Sequence, residues 1–248
     1  MLEAIRANFQ IHLLSEAPRV LKRHQEKPIV LLRHDVDLDL DIALAMAEIE
    51  SDLKISSCYM VMNNCPFYKL EDNSSRSILL RLKQLGHEVA LHFDYNNRND
   101  RRGDIKIDFV TAEIESSVKQ LEAMISQPVH SISFHRPLQE FLRGPLLVAE
   151  KVNAYSAELM GWYLSDSKGH WREGEPLPML ENPQKPLLQL LVHPIWWGAK
   201  HMRASDRLQS FFESRTQGLS NERIEEFDNA LSCHLGVRRS RIENKKGE

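Results

Sequence analysis

Short apolar runs alternate with amphipathic segments along the chain, and no internal repeat or low-complexity linker divides it. Continuous apolar runs between polar segments are typical of strands buried on both faces of a sheet. The clearest runs predict strands at residues 28–33, 56–62, 88–92, 129–135 and 187–192, with weaker signals near residue 154 and at 162–165. About seven strands with helices between them imply right-handed βαβ units and a parallel sheet.

Helical periodicity predicts the segments that cover this sheet. Ile42, Met46, Ile49 and Leu53 recur at helical spacing and predict a helix after the first strand. Residues 76–85 predict another helix, which ends at Gly86 because glycine suits a left-handed cap. Residues 205–235 are predicted to be mostly helical, with a break at Gly218. An open sheet and a closed barrel are both compatible with this pattern.

Composition narrows the class of protein. Hydrophobic residues make up 42% and charged residues 27% of the 248 residues, a balance typical of a folded globular chain. A formal net charge of -3 gives no general attraction to nucleic acid. The first residues lack the apolar run of a secretory signal, and no stretch approaches the roughly 20 apolar residues of a spanning helix. We therefore expect a cytoplasmic protein without an integral membrane segment, and the oligomeric state stays open.

The chain is expected to form one domain over residues 1–248. Its core is predicted over about 28–200, followed by a C-terminal helical segment at 204–236 and a basic tail at 238–248. The length suits one large domain better than two.

Polar side chains follow the predicted strands at the points where the strands end. The set comprises Asp35 and Asp37 after the first strand, His92, then His135 with Arg136, then Asp166, and finally His193. Because the carboxyl ends of parallel strands share one edge of the fold, we expect these side chains to converge on a common rim.

Carboxylates and imidazoles at one rim favour a divalent cation with a position left for water. Such a cation activates water and polarises a carbonyl, a carboxylate acts as base, and a histidine protonates the leaving group. Trp196 and Trp197 follow His193 directly and are compatible with packing or with contact to an apolar sugar face.

Structural roles are alternatives at each of these positions. His34 is compatible with a hydrogen bond to the backbone at the end of its strand. Asp35 and Asp37 are compatible with capping the helix that follows, and capping is the favoured interpretation for Asp39 or Asp41. His87 enters its strand at the end opposite to the rim, which indicates a structural residue.

Five segments in order resemble the polysaccharide deacetylase superfamily (NodB homology, carbohydrate esterase family four). The resemblance extends to its branch whose first motif reads HDVD. The five segments, which together span most of the chain, are LLRHDVD, GHEVALH, SFHRP, WYLSDSKGHW and LLVHP. The resemblance implies a distorted (β/α)7 barrel of the α/β class, a divalent cation that is expected to be zinc, and removal of an N-acetyl group from an aminosugar.

The resemblance also implies roles for single residues. Asp35 and Asp37 match the catalytic base and a metal ligand, with both near the metal and the choice between them open. His92 matches the first metal histidine. The family's second metal histidine corresponds to Asn96 in this sequence, so His135 is expected to take the place of that histidine.

The remaining motifs imply a general acid and residues around the substrate. His193 matches the catalytic acid, and Asp166 with Trp171 matches the aspartate and tryptophan that shape the site. Arg136, placed directly before Pro137 in an altered third motif, is expected to orient a carboxylate or to stabilise oxyanion charge. Trp171, Trp196 and Trp197 are the expected substrate contacts.

Three functions remain in view. The first is a metal-dependent N-deacetylase of a small activated or lipid-linked aminosugar. The second is another hydrolysis on the same barrel, of a glycosidic, phosphate or non-sugar amide bond. The third is a sugar-binding protein that has lost the metal, a hypothesis prompted by Asn96.

Overall fold

The protein is described by a computed structural model that covers residues 1–24, 26–95 and 107–235. Asn96, the position at which the family has its second metal histidine, and the basic tail at 238–248 lie outside these residues. Two compact units are present, Met1–Lys200 and a second one that begins at His201. The boundary coincides with the end predicted for the core, and the single domain over the whole chain stays a prediction.

The strands and helices alternate along the first unit. The strands are β1 (Gln10–His12), β2 (Ile29–Val36), β3 (Cys58–Val61), β4 (Glu88–Phe93), β5 (Ser131–Phe134), β6 (Leu147–Val148), β7 (Lys151–Asn153), β8 (Tyr163–Ser165) and β9 (Leu187–Val192). The helices are α1 (Leu2–Asn8), α2 (Ala17–Val20), α3 (Leu40–Asp52), α4 (Asn73–Gln84), α5 (Ile107–Ile125) and α6 (Pro176–Glu181). All seven predicted strands are present, whereas β1 and β6 were not predicted.

Seven strands form a continuous parallel path in the order β7-β5-β4-β3-β2-β9-β8. β6 extends one edge in the antiparallel direction, and β1 pairs with the first half of β2. The parallel α/β class predicted from the sequence is therefore confirmed.

The sheet curls so that its two edges approach each other. Gln189 on β9 donates from Nε2 to the carbonyl of Ala154, directly after β7, at 2.8 Å. The ring of Tyr155 lies 6.5 Å from the ring of Tyr163 on β8. No ladder joins β7 to β8 within the described ranges, so the expected distorted barrel has side chains rather than backbone pairing across its seam.

Alternation along the strands separates an interior from an outer layer. On β2, Ile29 and Leu31 pack in the interior against Leu14, Ala17 and other residues of the N-terminal segment. Val36 faces outward into the cluster covered by α3, α4 and α5, and Val30 and Leu32 into the cluster covered by α1 and α6. Because successive side chains point to opposite faces, each strand sends every second residue to the interior.

The residues that α3 buries only partly coincide with those whose spacing predicted the helix. Ile49 is 57% exposed, whereas Ala43, Ala47 and Glu50 are buried against the sheet. Met46 and Leu53, two of the residues at helical spacing, pack against the core, and the charged Glu50 also lies inward. Asp39 caps this helix by accepting from the N–H groups of Asp41 and Ile42, as expected.

The second unit contains α7 (Ala204–Thr216) and α8 (Asn221–Leu235). Gly218 lies between them with a φ of 81°, a left-handed conformation that glycine adopts without strain, so the predicted break is confirmed. Phe211 and Phe212 of α7 contact Phe227 of α8, with ring centroids 5.9 and 5.8 Å apart. No helix within the described ranges is long and apolar enough to cross a membrane.

Candidate metal-binding site

The inward positions at the carboxyl ends of β2, β4 and β5 bring one carboxylate and two imidazoles together. Asp37 Oδ1 lies 3.2 Å from His92 Nε2 and 3.4 Å from His135 Nδ1. One ligand atom from each of the three residues lies within 4.8 Å of the other two. We call Asp37, His92, His135 and the adjacent His193 the rim cluster.

The chemistry of these three residues fits a divalent cation. Asp37 Oδ1 is buried and accepts no hydrogen bond within the described part of the chain, although two ring nitrogens face it. Burial alone would raise the pKa of Asp37, but contacts with His135 and His92 and the charge of His193 hold it well below its usual value. Two imidazole nitrogens and an ionised oxygen are the ligands expected at a catalytic zinc-type site with an open position.

His193 completes the rim cluster from β9, where it is the residue directly after the strand. Its Nδ1 lies 2.7 Å from Asp166 Oδ1, and its Nε2 lies 3.9 Å from Asp37 Oδ2. Burial alone would lower its pKa, but the hydrogen bond to Asp166 and the nearby carboxylates raise it to about 9. The side chain is therefore held with one nitrogen on Asp166 and the other directed at the rim.

A charged pair lies beneath His92 in the barrel interior. Arg33 Nη1 is 3.4 Å from Asp35 Oδ1, and both side chains are buried. Asp35 Oδ2 is 3.9 Å from His92 Nδ1, which also contacts Ser133 Oγ at 2.6 Å. Asp35 is thus one side chain removed from the three candidate ligands, and Asp37 is the carboxylate that belongs to them.

Arg33 is a buried residue of the site that was not among those predicted from the sequence. Its guanidinium lies over the ring of Tyr155, 4.6 Å from the centroid, and near the hydroxyl of Tyr163 at 3.4 Å. Burial alone would lower the pKa of Arg33, but the charge of Asp35 raises it above its usual value. The available signal was an arginine that ends an apolar run, since a buried charge requires a partner.

The other predicted site residues lie around the rim. Arg136 is about half exposed and forms a two-pronged ion pair with Asp94, at 2.9 and 2.7 Å. Trp171 and Trp197 pack against the outward-facing apolar residues of β2, β8 and β9, and Trp196 is partly buried. Their predicted catalytic and substrate roles stay predictions.

A second group of buried polar residues lies on the outward face of the same strands. Glu50 Oε1 is 2.8 Å from His34 Nε2, and Oε2 accepts from Ser57 at 2.6 Å and from Tyr59 at 2.9 Å. His87 contacts Ser57 Oγ at 3.0 Å and the carbonyl of Ala47 at 3.0 Å, which fits its structural interpretation. We call Glu50, His34, His87, Ser57 and Tyr59 the Glu50 cluster.

A cavity of about 160 Å³ lies between the end of β4, the segment after β3 and α5. Polar and apolar residues line it together, namely Asn63, Asn64, Leu91, His92, Phe93, Asp94, Ser117 and Gln120. Asn63 Nδ2 donates to the carbonyl of Ser117 at 2.7 Å and Asn64 Nδ2 to that of Asp94 at 3.3 Å, so both amides are already bonded within the chain.

The fold and site define a curled parallel α/β protein with a candidate Asp-His-His cation site at the carboxyl ends of its strands. No known family model matches the sequence, and no curated protein is significantly similar to it. Among solved structures, the chain is similar to the Streptococcus pyogenes deacetylase PplD in complex with acetate. That comparison gives 17% identity and a TM-score of 0.48, over 85% of this chain and 83% of that chain.

Two further solved structures are similar to the chain at comparably low sequence identity. A peptidoglycan deacetylase PdaC variant from Bacillus subtilis is 13% identical, with a TM-score of 0.46 over 85% of this chain and 96% of that one. A CE4 family pseudoenzyme from Bacillus anthracis is 14% identical, with a TM-score of 0.44 over 79% and 64%. Since these TM-scores lie below 0.5, the assignment of the site rests on the geometry of this chain.

Proposed function

We propose that the protein is a metal-dependent hydrolase that removes the acyl group from an N-acetylated aminosugar or sugar conjugate. The observation that carries the proposal is the convergence of Asp37, His92 and His135 around a buried oxygen that accepts no hydrogen bond within the described ranges. His193 faces the same carboxylate from a fourth strand. The five motifs that resemble the deacetylase superfamily support the amide as the bond that is cleaved.

Asp37, His92 and His135 would hold the cation, which when bound polarises an acyl carbonyl and lowers the pKa of a water molecule. Asp35 is the carboxylate left outside this set and accepts the proton of the attacking water. A C–O bond then forms at the acyl carbon. His193 Nε2 donates a proton to the nitrogen as the C–N bond breaks, which leaves a carboxylate and an amine.

The motif resemblance to the deacetylase superfamily supports a sugar as the substrate. We propose a small activated or lipid-linked aminosugar as the class to test.

The test measures acetate release from a panel of N-acetylated aminosugars by the zinc-loaded protein, before and after chelation. We expect hydrolysis that chelation removes and zinc restores, and that is lost in His92→Ala and His193→Ala. Exposed Arg203, paired with Asp206, supplies the matched control Arg203→Ala. Acetate release that survives chelation and both substitutions would defeat the proposal.

The alternatives give different results in the same experiment. Zinc binding without acetate release from any substrate of the panel favours another hydrolysis. A chain that binds sugar but not zinc in calorimetric titration is a sugar-binding protein.

A further inference from the structure

Asp166 is held by three contacts that occupy both of its carboxylate oxygens. Oδ1 accepts from the backbone N–H of His193 at 2.9 Å and lies 2.7 Å from Nδ1 of the same residue. Oδ2 accepts from the indole N–H of Trp197 at 2.7 Å. Asp166 is buried, so each contact acts in surroundings of low dielectric constant, where hydrogen bonds to a charged group are strongest.

The ring of Trp197 is fixed from the side away from the rim. It packs against the apolar cluster on the outward face of β2, β8 and β9, which includes Leu190 and Val192. A short 3-10 turn over Pro194–Trp196 separates it from His193, with the N–H of Trp197 bonded to the carbonyl of Pro194 at 2.9 Å. The direction of the indole N–H is therefore set by packing and by the turn.

We propose that Trp197 is a positioning residue, and that its indole N–H locks the carboxylate of Asp166 so that His193 presents Nε2 to the reacting group. This differs from the sugar contact expected from its sequence position. The proposal rests on the proposed function, in which His193 protonates the departing nitrogen.

Loss of the indole donor frees one oxygen of Asp166. The carboxylate is then held by His193 alone, and the imidazole and carboxylate can rotate together. Proton donation from His193 requires a defined direction, whereas binding of the substrate does not. The defect should therefore appear in kcat and only for substrates whose leaving group requires a proton.

The experiment compares Trp197→Phe with wild type on two substrates, using the zinc-loaded full chain. One substrate is an N-acetylated aminosugar, and the other is the acetyl ester of an acidic phenol, which departs without protonation. A hydrogen bond to a charged group is worth about 1.5–3 kcal/mol, so we expect kcat on the amide to fall roughly tenfold to hundredfold. KM on the amide and both constants on the ester should stay at the wild-type values.

Trp162→Phe is the matched control because Trp162 packs against the same apolar cluster and its ring contacts Phe9, with centroids 6.1 Å apart. It should leave the ratio of amide to ester rates unchanged. Equal losses on both substrates, no loss on either, or a rise in KM alone for the amide would each overturn the positioning role of Trp197. The rise in KM alone would restore the sugar contact.

A second measurement does not depend on turnover. Proton NMR of the wild-type chain should show a far-downfield resonance from His193 Nδ1–H, because the nitrogen and Asp166 Oδ1 are only 2.7 Å apart. Trp197→Phe should shift or broaden it, and His193→Gln should remove it. An unchanged resonance in Trp197→Phe overturns the proposal, whereas a wild-type chain inactive on both substrates defeats the proposed function alone.

Discussion

Two buried polar groups lie on opposite faces of the same strands, and they differ in how fully their carboxylates are paired. In the Glu50 cluster each oxygen of Glu50 has a partner, namely His34 on one and Ser57 and Tyr59 on the other. In the rim cluster Asp37 Oδ1, which is also shielded from water, accepts no hydrogen bond within the described ranges.

The difference separates a structural group from a candidate binding site. Burial alone would raise the pKa of Glu50, but the charge and hydrogen bond of His34, with those of Ser57 and Tyr59, lower it. The charge of Glu50 is thus stabilised by residues of the chain itself. Asp37 Oδ1 instead faces two imidazole nitrogens at 3.2 and 3.4 Å, an arrangement in which all three residues can share one cation.

The largest expected effect breaks the rim cluster. His92→Ala removes a candidate ligand and should reduce zinc affinity by more than the ~10–100-fold that loss of an outer-shell partner produces. Calorimetric zinc titration and acetate release measure the outcome. Zinc affinity that equals wild type would move the cation site away from His92.

The next effect breaks the Glu50 cluster. Glu50→Ala leaves His34, Ser57 and Tyr59 without their shared acceptor and should lower the free energy of unfolding by about 3–5 kcal/mol. Urea denaturation of the chelated protein measures this loss. If the variant folds, its zinc affinity should match wild type, and a selective loss of zinc affinity would contradict the structural role.

A pH series distinguishes the clusters by sign. The pKa of His193 is about 9 in the folded chain against ~6.5 unfolded, so its stabilisation of roughly 3 kcal/mol is complete below pH ~6.5 and is lost as the pH rises to about 9. His87 behaves in the opposite way: burial lowers its pKa, so stability falls as the pH drops below ~6.5. Urea unfolding of the chelated protein at roughly pH 5 to 10, a range that brackets both pKa values of His193, tests the predictions for His193 and His87. His193→Gln should remove the alkaline loss.

The smallest effect separates two aspartates that lie two positions apart. Asp39→Ala removes the cap of α3 and should lower the free energy of unfolding by about 1 kcal/mol, while zinc affinity stays the same. Asp37→Ala should abolish zinc binding and leave the cap of α3 in place. Measuring both variants by urea denaturation and zinc titration shows whether capping and ligation are independent.

The elements that carry the site were predictable because two signals coincide. Apolar runs place the strands, and a polar residue at the end of each run places a side chain at the rim. His92, His135 and His193 follow this rule, and the structure brings all three to Asp37. The sequence left open which aspartate joins the ligands, because Asp35 and Asp37 share one face of the strand and only the curl of the sheet separates their surroundings.

Other features depend on contacts between distant segments and leave no local signal. Glu50 occupies an inner position of α3 because His34 on β2, Tyr59 on β3 and the residue directly before β3, Ser57, meet it there, whereas Ile49 is 57% exposed. The contact between Trp197 and Asp166 joins residues 31 positions apart. Arg136, whose catalytic role stays a prediction from the third motif, pairs with Asp94, and Arg33, which the sequence did not single out, lies beside Asp35.

Because side chains alternate strictly along β2, the register of this one strand determines where both polar groups lie. A slip by one residue would turn Asp35 toward the helices and His34 toward the barrel interior, and would dismantle both polar groups at once. Asp37 and the two imidazoles can bind an ion together only when β2 has its native register. A bound cation would therefore stabilise the native register relative to a shifted one, because it binds to the native register alone.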